Sequence, residues 1–317
     1  MRAALETRWS RIALLAVGVV LVAVLIYTLQ RGPGGREETK PSPPSSLSGL
    51  IVFWRDVPWP SLWSVRPDGT GLRRLYETRQ NAKRPRISPD GKWIAFDGAS
   101  PGKAPLSDFD VQIVRADGSD RRTLAGTSNY ELDAQWSPDG KRLSYSSYRH
   151  TGESDEWQRA NIWTVAVTGR DRTMLGRGSS ARWSPDGKEI VFSAPTRKSD
   201  GDLFVMNADG TGRRRLTATP ELEQPAGWSP DGSTILFTQF NGSGADVMVM
   251  DANGKNVRTL TDLPGFDYAG AWSPDGSAIL FTSGSDAGPL VVMNADGSDA
   301  RDITGGQFRG SEPSWSS

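Results

Sequence analysis

The sequence predicts an all-β protein: a six-bladed β-propeller closed by pairing of its N- and C-terminal strands and preceded by one transmembrane helix. Three observations carry this. The motif S-P-D-G recurs five times at near-constant spacing. A strand–turn–strand unit with Gly in its turn recurs six times. An uncharged apolar run lies close to the N-terminus.

The apolar run, Ile12–Leu29, has 18 residues. At about 1.5 Å per residue it can cross a bilayer core of about 30 Å, and only a helix satisfies its own backbone there. It exceeds the apolar region of a cleaved signal peptide, and Gln30-Arg31-Gly32-Pro33 after it offers no small-residue cleavage site. It therefore reads as an uncleaved signal anchor behind a cytoplasmic leader of residues 1–11. Arg2, Arg8 and Arg11 before it balance Arg31, Arg36 and Lys40 after it. The free α-amino group then tips the orientation to N-terminus inside, with the rest of the chain outside the cytoplasm. Residues 30–44 are rich in Pro, Gly and charge and lack apolar periodicity, as a tether would.

The remaining residues, 45–317, are built from one unit. The S-P-D-G serines are Ser88, Ser137, Ser184, Ser229 and Ser273, spaced by 49, 47, 45 and 44 residues. Trp136, Trp183, Trp228 and Trp272 precede four of them, and Ile87 the first. A β-rich apolar stretch follows each, as in Ile190-Val191-Phe192. The second landmark is a short strand, an x-Gly turn such as Asp209-Gly210, and an exit strand. Asp-Gly and Asn-Gly between β-branched runs signal a tight hairpin, because both turn positions tolerate positive φ. Each unit of about 45 residues thus holds four antiparallel strands, A to D, the period of a propeller blade. One blade alone leaves two apolar faces bare; radial packing covers them.

Six x-Gly turns against five S-P-D-G motifs leave one blade without its own strand A. Ile51-Val52-Phe53 matches a strand B, and the segment ending at Trp315-Ser316-Ser317 starts another W-S-P at the right period. The C-terminal segment is expected to supply strand A of blade one. In the S-P-D-G turn, Pro fixes φ, Asp bonds local backbone N–H groups and Gly takes the strained position. The Trp residues are expected to pack between blades. Single Asp residues at these turns fall short of a Ca²⁺ loop. The pairs Arg73-Arg74 and Arg121-Arg122 and the triplet Arg213–Arg215 are expected on a solvated, charge-protected outer edge.

The repeat, plainest over Trp183–Thr217, resembles that of TolB-type propellers, and the resemblance covers nearly all of 45–317. It implies the fold firmly and the function loosely. Similar repeats occur in the propellers of prolyl-oligopeptidase-like enzymes and in envelope proteins of many kinds. Two departures from TolB proper are expected: residues 1–44 leave no room for an α/β domain before the propeller, and a membrane anchor stands where the family's namesake is soluble and periplasmic. The namesake's partners, a peptidoglycan-associated lipoprotein and translocated toxins, do not simply carry across.

Composition narrows the chemistry. With 37 Lys+Arg against 37 Asp+Glu the chain lacks the basic excess of a nucleic-acid binder. It has no Cys and a single His, His150, which excludes thiolate chemistry and leaves a Ser-His-Asp triad or a His metal site without members. Gly98-Ala99-Ser100-Pro101-Gly102 matches G-x-S-x-G, but Pro101 and Pro105 forbid the helix that a nucleophile elbow needs. No catalytic residue, metal or cofactor is assigned.

Because strands alternate in direction, the uniform A–B and C–D turns share one face and the irregular B–C and D–A connections the other. Variable loops on a rigid frame are where binding resides. The expected site is the channel mouth: Tyr130, Glu131, Asp133, Glu223, Asp267, Tyr268, Arg309 and Glu312 from the D–A loops, with His150 and Trp157 from the longest B–C loop. The reading is a non-enzymatic, membrane-anchored module that binds an envelope protein, peptide or glycan. Two alternatives stand beside it. One is an accessory or sensor propeller related to peptidase propellers. The other is a metal-dependent hydrolase or lyase using Glu131, Asp133, Glu223, Asp267 and Glu312 as a carboxylate ring.

Overall fold

The computed structural model describes residues 47–55, 59–77, 82–99, 109–149, 160–262, 265–284 and 287–316. The expected helix at Ile12–Leu29, the leader, the linker, Ser100, His150 and Trp157 lie outside these residues.

The described chain forms six four-stranded antiparallel sheets and no helix. Strand A lies innermost: Ala82–Ile87, Tyr130–Trp136, Ser179–Trp183, Leu222–Trp228 and Asp267–Trp272 serve blades two to six. Ser311–Ser316 serves blade one, beside its strand B, Leu50–Arg55. That pairing sets Ile51 opposite Trp315 and Val52 opposite Ser314, so the two ends close the ring as expected. Each strand A touches the next around a complete circle.

The core is six interfaces, not one centre. Strand B alternates with period two between its neighbours. In blade one, Ile51 and Phe53 pack with Leu280 and Val292 of blade six. Trp54, with Leu62 of strand C, packs with Ile94 and Phe96 of blade two. The four other interfaces repeat the arrangement. Since both faces of strand B are buried, its sequence is mostly a continuous apolar run, except in blade three, where buried Ser144, Ser146 and Ser147 alternate with or follow Leu143 and Tyr145. The strand A Trp residues join blades as expected. Trp136 Nε1 donates to Arg86 O across one interface (2.9 Å) and Trp228 Nε1 to Arg182 O across another (3.2 Å).

The S-P-D-G turns form a second, outer latch. In the third, Asp186 accepts from Ser184 Oγ (2.7 Å) and Lys188 N (3.0 Å), and the other four repeat this pattern. The turn Gly sits at φ 71° in that copy, and a Cβ there would come 3.8 Å from Pro138 Cδ of the preceding turn. Gly140, Gly232 and Gly276 meet Pro89, Pro185 and Pro230 in the same way. Each turn after the first thus rests on the one before it.

At the rim, strand D is only two residues long in blades four to six, which limits unpaired edge. Arg73, Arg74, Arg122 and Arg214 are exposed there as expected. Arg213 is exposed there too, whereas half-buried Arg121 corrects the expectation of a purely solvated edge. Arg121 donates to Tyr76 Oη of blade one (2.9 Å) and to Ala99 O (2.7 Å). Arg213 lies over the rings of Phe204 (4.3 Å) and Phe192 (4.9 Å). Their apolar stems and flat heads cover aromatic surface at the blade edge.

Candidate binding site at the channel mouth

All six strands A carry one residue more than their strand B partners allow, so each contains a β-bulge. In four of them the residue four places before the repeat Ser takes a left-handed backbone: Arg84 (φ 49°), Asp133 (φ 58°), Ser180 (φ 55°) and Glu312 (φ 48°). A non-Gly residue there costs about 1–3 kcal/mol, and such strain gathers where side chains must be aimed. Three of these four residues carry charge, and all three line a cavity of about 280 Å³ in the ring of innermost strands.

One side of that cavity is an ion-pair network. Arg182 grips both oxygens of Asp133 (2.9 and 3.0 Å). Arg84 pairs with Asp97 Oδ2 (3.0 Å) and Glu312 Oε1 (2.8 Å). Trp54 Nε1 donates to Glu312 Oε2 (2.8 Å). Asp97, buried at the end of its strand B, also accepts from Asp133 N (3.0 Å to each oxygen). Arg86 donates to Glu312 O (3.0 Å) and Pro85 O (2.9 Å), but its nearest carboxylate oxygen, on Asp133, is 3.9 Å away. Lys83 extends over the Trp54 ring, 4.7 Å from its centre, with no carboxylate partner among the described residues.

Burial and charge set the protonation states. Burial works against the Asp133 carboxylate, but Arg182 and Arg86 outweigh it and hold the group at about 2. Burial raises Asp97 to about 7, with Arg84 and the Asp133 N–H opposing. Burial, then the neighbouring Arg182, lowers Arg86 to about 10. For Arg84, burial is overcome by Glu312, Asp97 and Asp133, which raise it.

The other side is uncharged. Gln224, Pro225 and Ala226 of blade five and Tyr268, Ala269 and Gly270 of blade six line it. Beside it, Tyr268 packs against Phe266 (ring centres 6.1 Å, stacked) and Phe240 (5.9 Å, tilted). Phe266 and Leu222 are exposed.

The expected site residues separate into groups. Asp133, Tyr268 and Glu312 line the cavity. Glu131, Glu223 and Asp267 lie inside strands A and are buried, not in open loops. Glu131 accepts from Thr127 N (3.0 Å) and Oγ1 (2.5 Å). Glu223 accepts from Thr217 Oγ1, Thr219 Oγ1 and Gln239 Nε2. These two carboxylates pin the D–A connections that lead into their own strands, and burial raises the pKa of both. Tyr130 is half-buried and packs on Phe109; Arg309 is exposed. The five carboxylates therefore form no ring: no three acidic or His side chains among the described residues gather to hold a metal ion. Sequence reasoning missed Trp54, Lys83, Arg84, Arg86 and Arg182. The signal lay in the repeat itself. Two places before the repeat Ser, Arg86 and Arg182 stand where other copies have Gln135, Gly227, Ala271 and Ser314.

A second cavity, about 360 Å³, lies on the turn face between blades two and three. Its Asp90 and Asp139 are tied into their own turns, and Arg115 and Arg122 each lie 4.6 Å from the centre of the Trp93 ring. Its polar groups serve the scaffold.

Residues 99–317 match the TolB beta propeller domain family (PD40), more than half of the chain. The chain belongs to the TolB β-propeller family. A relative described as Tol-Pal system protein TolB, from Anaeromyxobacter dehalogenans, is 32% identical over 115 residues. That match covers 35% of this chain and only 25% of the relative's length. The crystal structure of TolB from Acinetobacter baumannii superposes with a TM-score of 0.67 at 21% identity, covering 85% of this chain and 67% of that one. An oligogalacturonate lyase in complex with manganese superposes at 0.55 and 17% identity, over 80% of this chain and 73% of that one. At these identities both likenesses are of fold.

Proposed function

We propose that this TolB-family propeller is a non-enzymatic binding module of the bacterial cell envelope, held to the membrane by Ile12–Leu29 with the propeller outside the cytoplasm. It takes a protein partner, through a peptide segment, at the channel mouth. The observation that supports this best is the cavity: charged side chains are aimed into it by strained backbone, beside an exposed aromatic lip. The turn face, in contrast, is occupied by its own latches. Binding rather than catalysis is the reading because Glu131 and Glu223 hold their own loops, and Asp133 and Glu312 are paired with arginines.

Cross-linking in intact membranes with the full chain as bait tests this. Changing Lys83, Phe266 and Tyr268 to Ala should abolish capture. Changing Lys141, Lys188 and Lys255 on the opposite face should leave it intact. Loss with the second set alone would place binding on the turn face. Protease added to spheroplasts should reduce the propeller to a small membrane-held stub; a propeller cut only after lysis would reverse the topology.

A further inference from the structure

The channel cavity holds four cations, Lys83, Arg84, Arg86 and Arg182, against three carboxylates, Asp97, Asp133 and Glu312. At full ionisation one positive charge is left over, and geometry shows where. Arg182 occupies both oxygens of Asp133, and Arg84 bridges Asp97 and Glu312. Arg86, its side chain only 12% exposed, is left 3.9 Å from a carboxylate that another arginine already holds. Lys83 lies over the face of Trp54, with no carboxylate partner among the described residues. A buried cation without a close counter-charge is costly, and an incoming anion relieves that cost. The surplus is a single charge, so it matches a monoanion, not a phosphate dianion.

Shape narrows the ligand further. About 280 Å³ falls just below the roughly 300–1,000 Å³ of sites that enclose a small ligand. Such a space takes the end of an extended chain, not a loop that must enter and leave. Arg86 lies two residues further along strand A than Arg84 and is less exposed (12% against 29% for the side chains), so the deeper charge is the less compensated one. On the uncharged side Tyr268 lines the cavity, packed against Phe240 and Phe266. We infer that the cavity captures the C-terminal carboxylate of a partner polypeptide, with Lys83 and Arg86 receiving the carboxylate and the aromatic lip receiving an apolar side chain at or next to the chain end. This rests on the channel-mouth reading above and adds the chemistry of the ligand. The lowered pKa of Arg86 agrees with it, because a bound carboxylate would restore the missing counter-charge.

The test uses the full chain in detergent micelles and fluorescence anisotropy. The probe is a pool of N-terminally fluorescein-labelled peptides ending in Phe, Tyr or Leu with a free carboxylate. Control pools carry a C-terminal amide, or an amide plus an internal Glu. The free-acid pool should bind about tenfold or more tightly than the amide, as expected for a charge-assisted contact in a partly buried site. Lys83→Met should bring acid binding down towards the amide and leave the amide pool and Tm unchanged; Arg86→Gln should do the same more strongly. Lys83→Met keeps the test valid if Arg86→Gln fails to fold, because the Lys83 ammonium lies over the Trp54 ring and has no carboxylate partner among the described residues. Equal binding of acid and amide, no effect of Lys83→Met, or displacement by inorganic phosphate would overturn the assignment. Equal binding of the internal-Glu amide would replace the chain end by an acidic side chain, and so overturn it too. If no pool binds while the cross-linked partner is still lost on mouth mutation, this inference fails and the channel-mouth reading stands. If the partner is lost only on turn-face mutation, both fail.

Discussion

The innermost ring of this propeller has two unlike halves built on one repeat. Strands A of blades one to four carry Glu312, Arg84, Arg86, Asp133 and Arg182, and each holds its bulge with a left-handed residue that is not Gly. Strands A of blades five and six bulge at the same register but carry Pro225, Gly227, Ala269 and Ala271, without positive φ. The frame is common to both halves: the same strand pairings throughout, the Trp in every blade but the second, and the S-P-D-G latch in every blade but the first. The contrast teaches that the frame does not need the strain. Ordinary residues make the bulge in blades five and six, so in blades one to three the cost goes with the charged side chains of Glu312, Arg84 and Asp133; in blade four it falls on Ser180.

The sharpest way to break that comparison is to remove the centre of the charged half. Asp133→Ala leaves Arg182 and Arg86 buried without their carboxylate, and breaking such a pair costs about 3–5 kcal/mol. Urea unfolding should show that loss, whereas Thr282→Ala on the uncharged side should cost far less. If the two variants unfold alike, the network does not hold the ring.

Acidity separates the halves next. Asp97 has its folded pKa raised to about 7, above the unfolded carboxylate value. Its contribution is therefore fully present below about pH 4 and is lost as pH rises towards 7, at up to about 1.4 kcal/mol per pH unit. Asp133, held at about 2, loses its contribution only in strong acid and does not interfere between pH 5 and 7. The urea midpoint of the wild type should thus fall relative to Asp97→Asn as pH goes from 5 to 7. Thr238→Val, on the uncharged wall of the cavity, leaves every carboxylate in place and should keep the wild-type slope. A wild type and Asp97→Asn that run parallel would show Asp97 already ionised at pH 5.

The fold was legible in the sequence because its determinants are periodic and local. S-P-D-G, the x-Gly turns and the largely apolar strands B each repeat, and the unmatched strand B at Ile51–Phe53 pointed to Trp315. The site was legible only as a face. Placing the D–A connections at the mouth was sound geometry, but the strands begin earlier than expected, so Glu131, Glu223 and Asp267 fall inside them and are buried. The bulges left no residue-type signal, since Arg, Asp, Ser and Glu stand where Gly would have marked positive φ. Arginines within an inner strand read as surface residues until the ring brings them face to face.

A smaller test concerns the joint between the halves of the network. Trp54 reaches from strand B of blade one to Glu312 and lies beneath Lys83. Trp54→Phe keeps a ring for packing but removes the donor, and should cost about 1–2 kcal/mol in stability. It should also loosen Lys83, so that free-acid peptides bind less tightly while the amide pool is unaffected. Unchanged stability would mean that Arg84 alone secures Glu312.

The smallest expected effect lies in the uncharged half, at the position that carries Arg86 and Arg182 in the other. Gly227 has no positive φ, and a Cβ built on it would meet no atom within 4 Å. Nothing in the folded chain therefore requires Gly there. Gly227→Ala narrows the unfolded ensemble without straining the folded one and should raise stability by about 0.4–1 kcal/mol. Gly270, three residues before its own repeat Ser, is the control: a Cβ there would sit 2.9 Å from Leu280 O and from Pro313 Cγ, so Gly270→Ala should destabilise. If Gly227→Ala instead lowers the unfolding midpoint, the bulge in blade five depends on Gly after all. The strain at Arg84, Asp133 and Glu312 would then be a general cost of the inner ring, not one attached to its charged half.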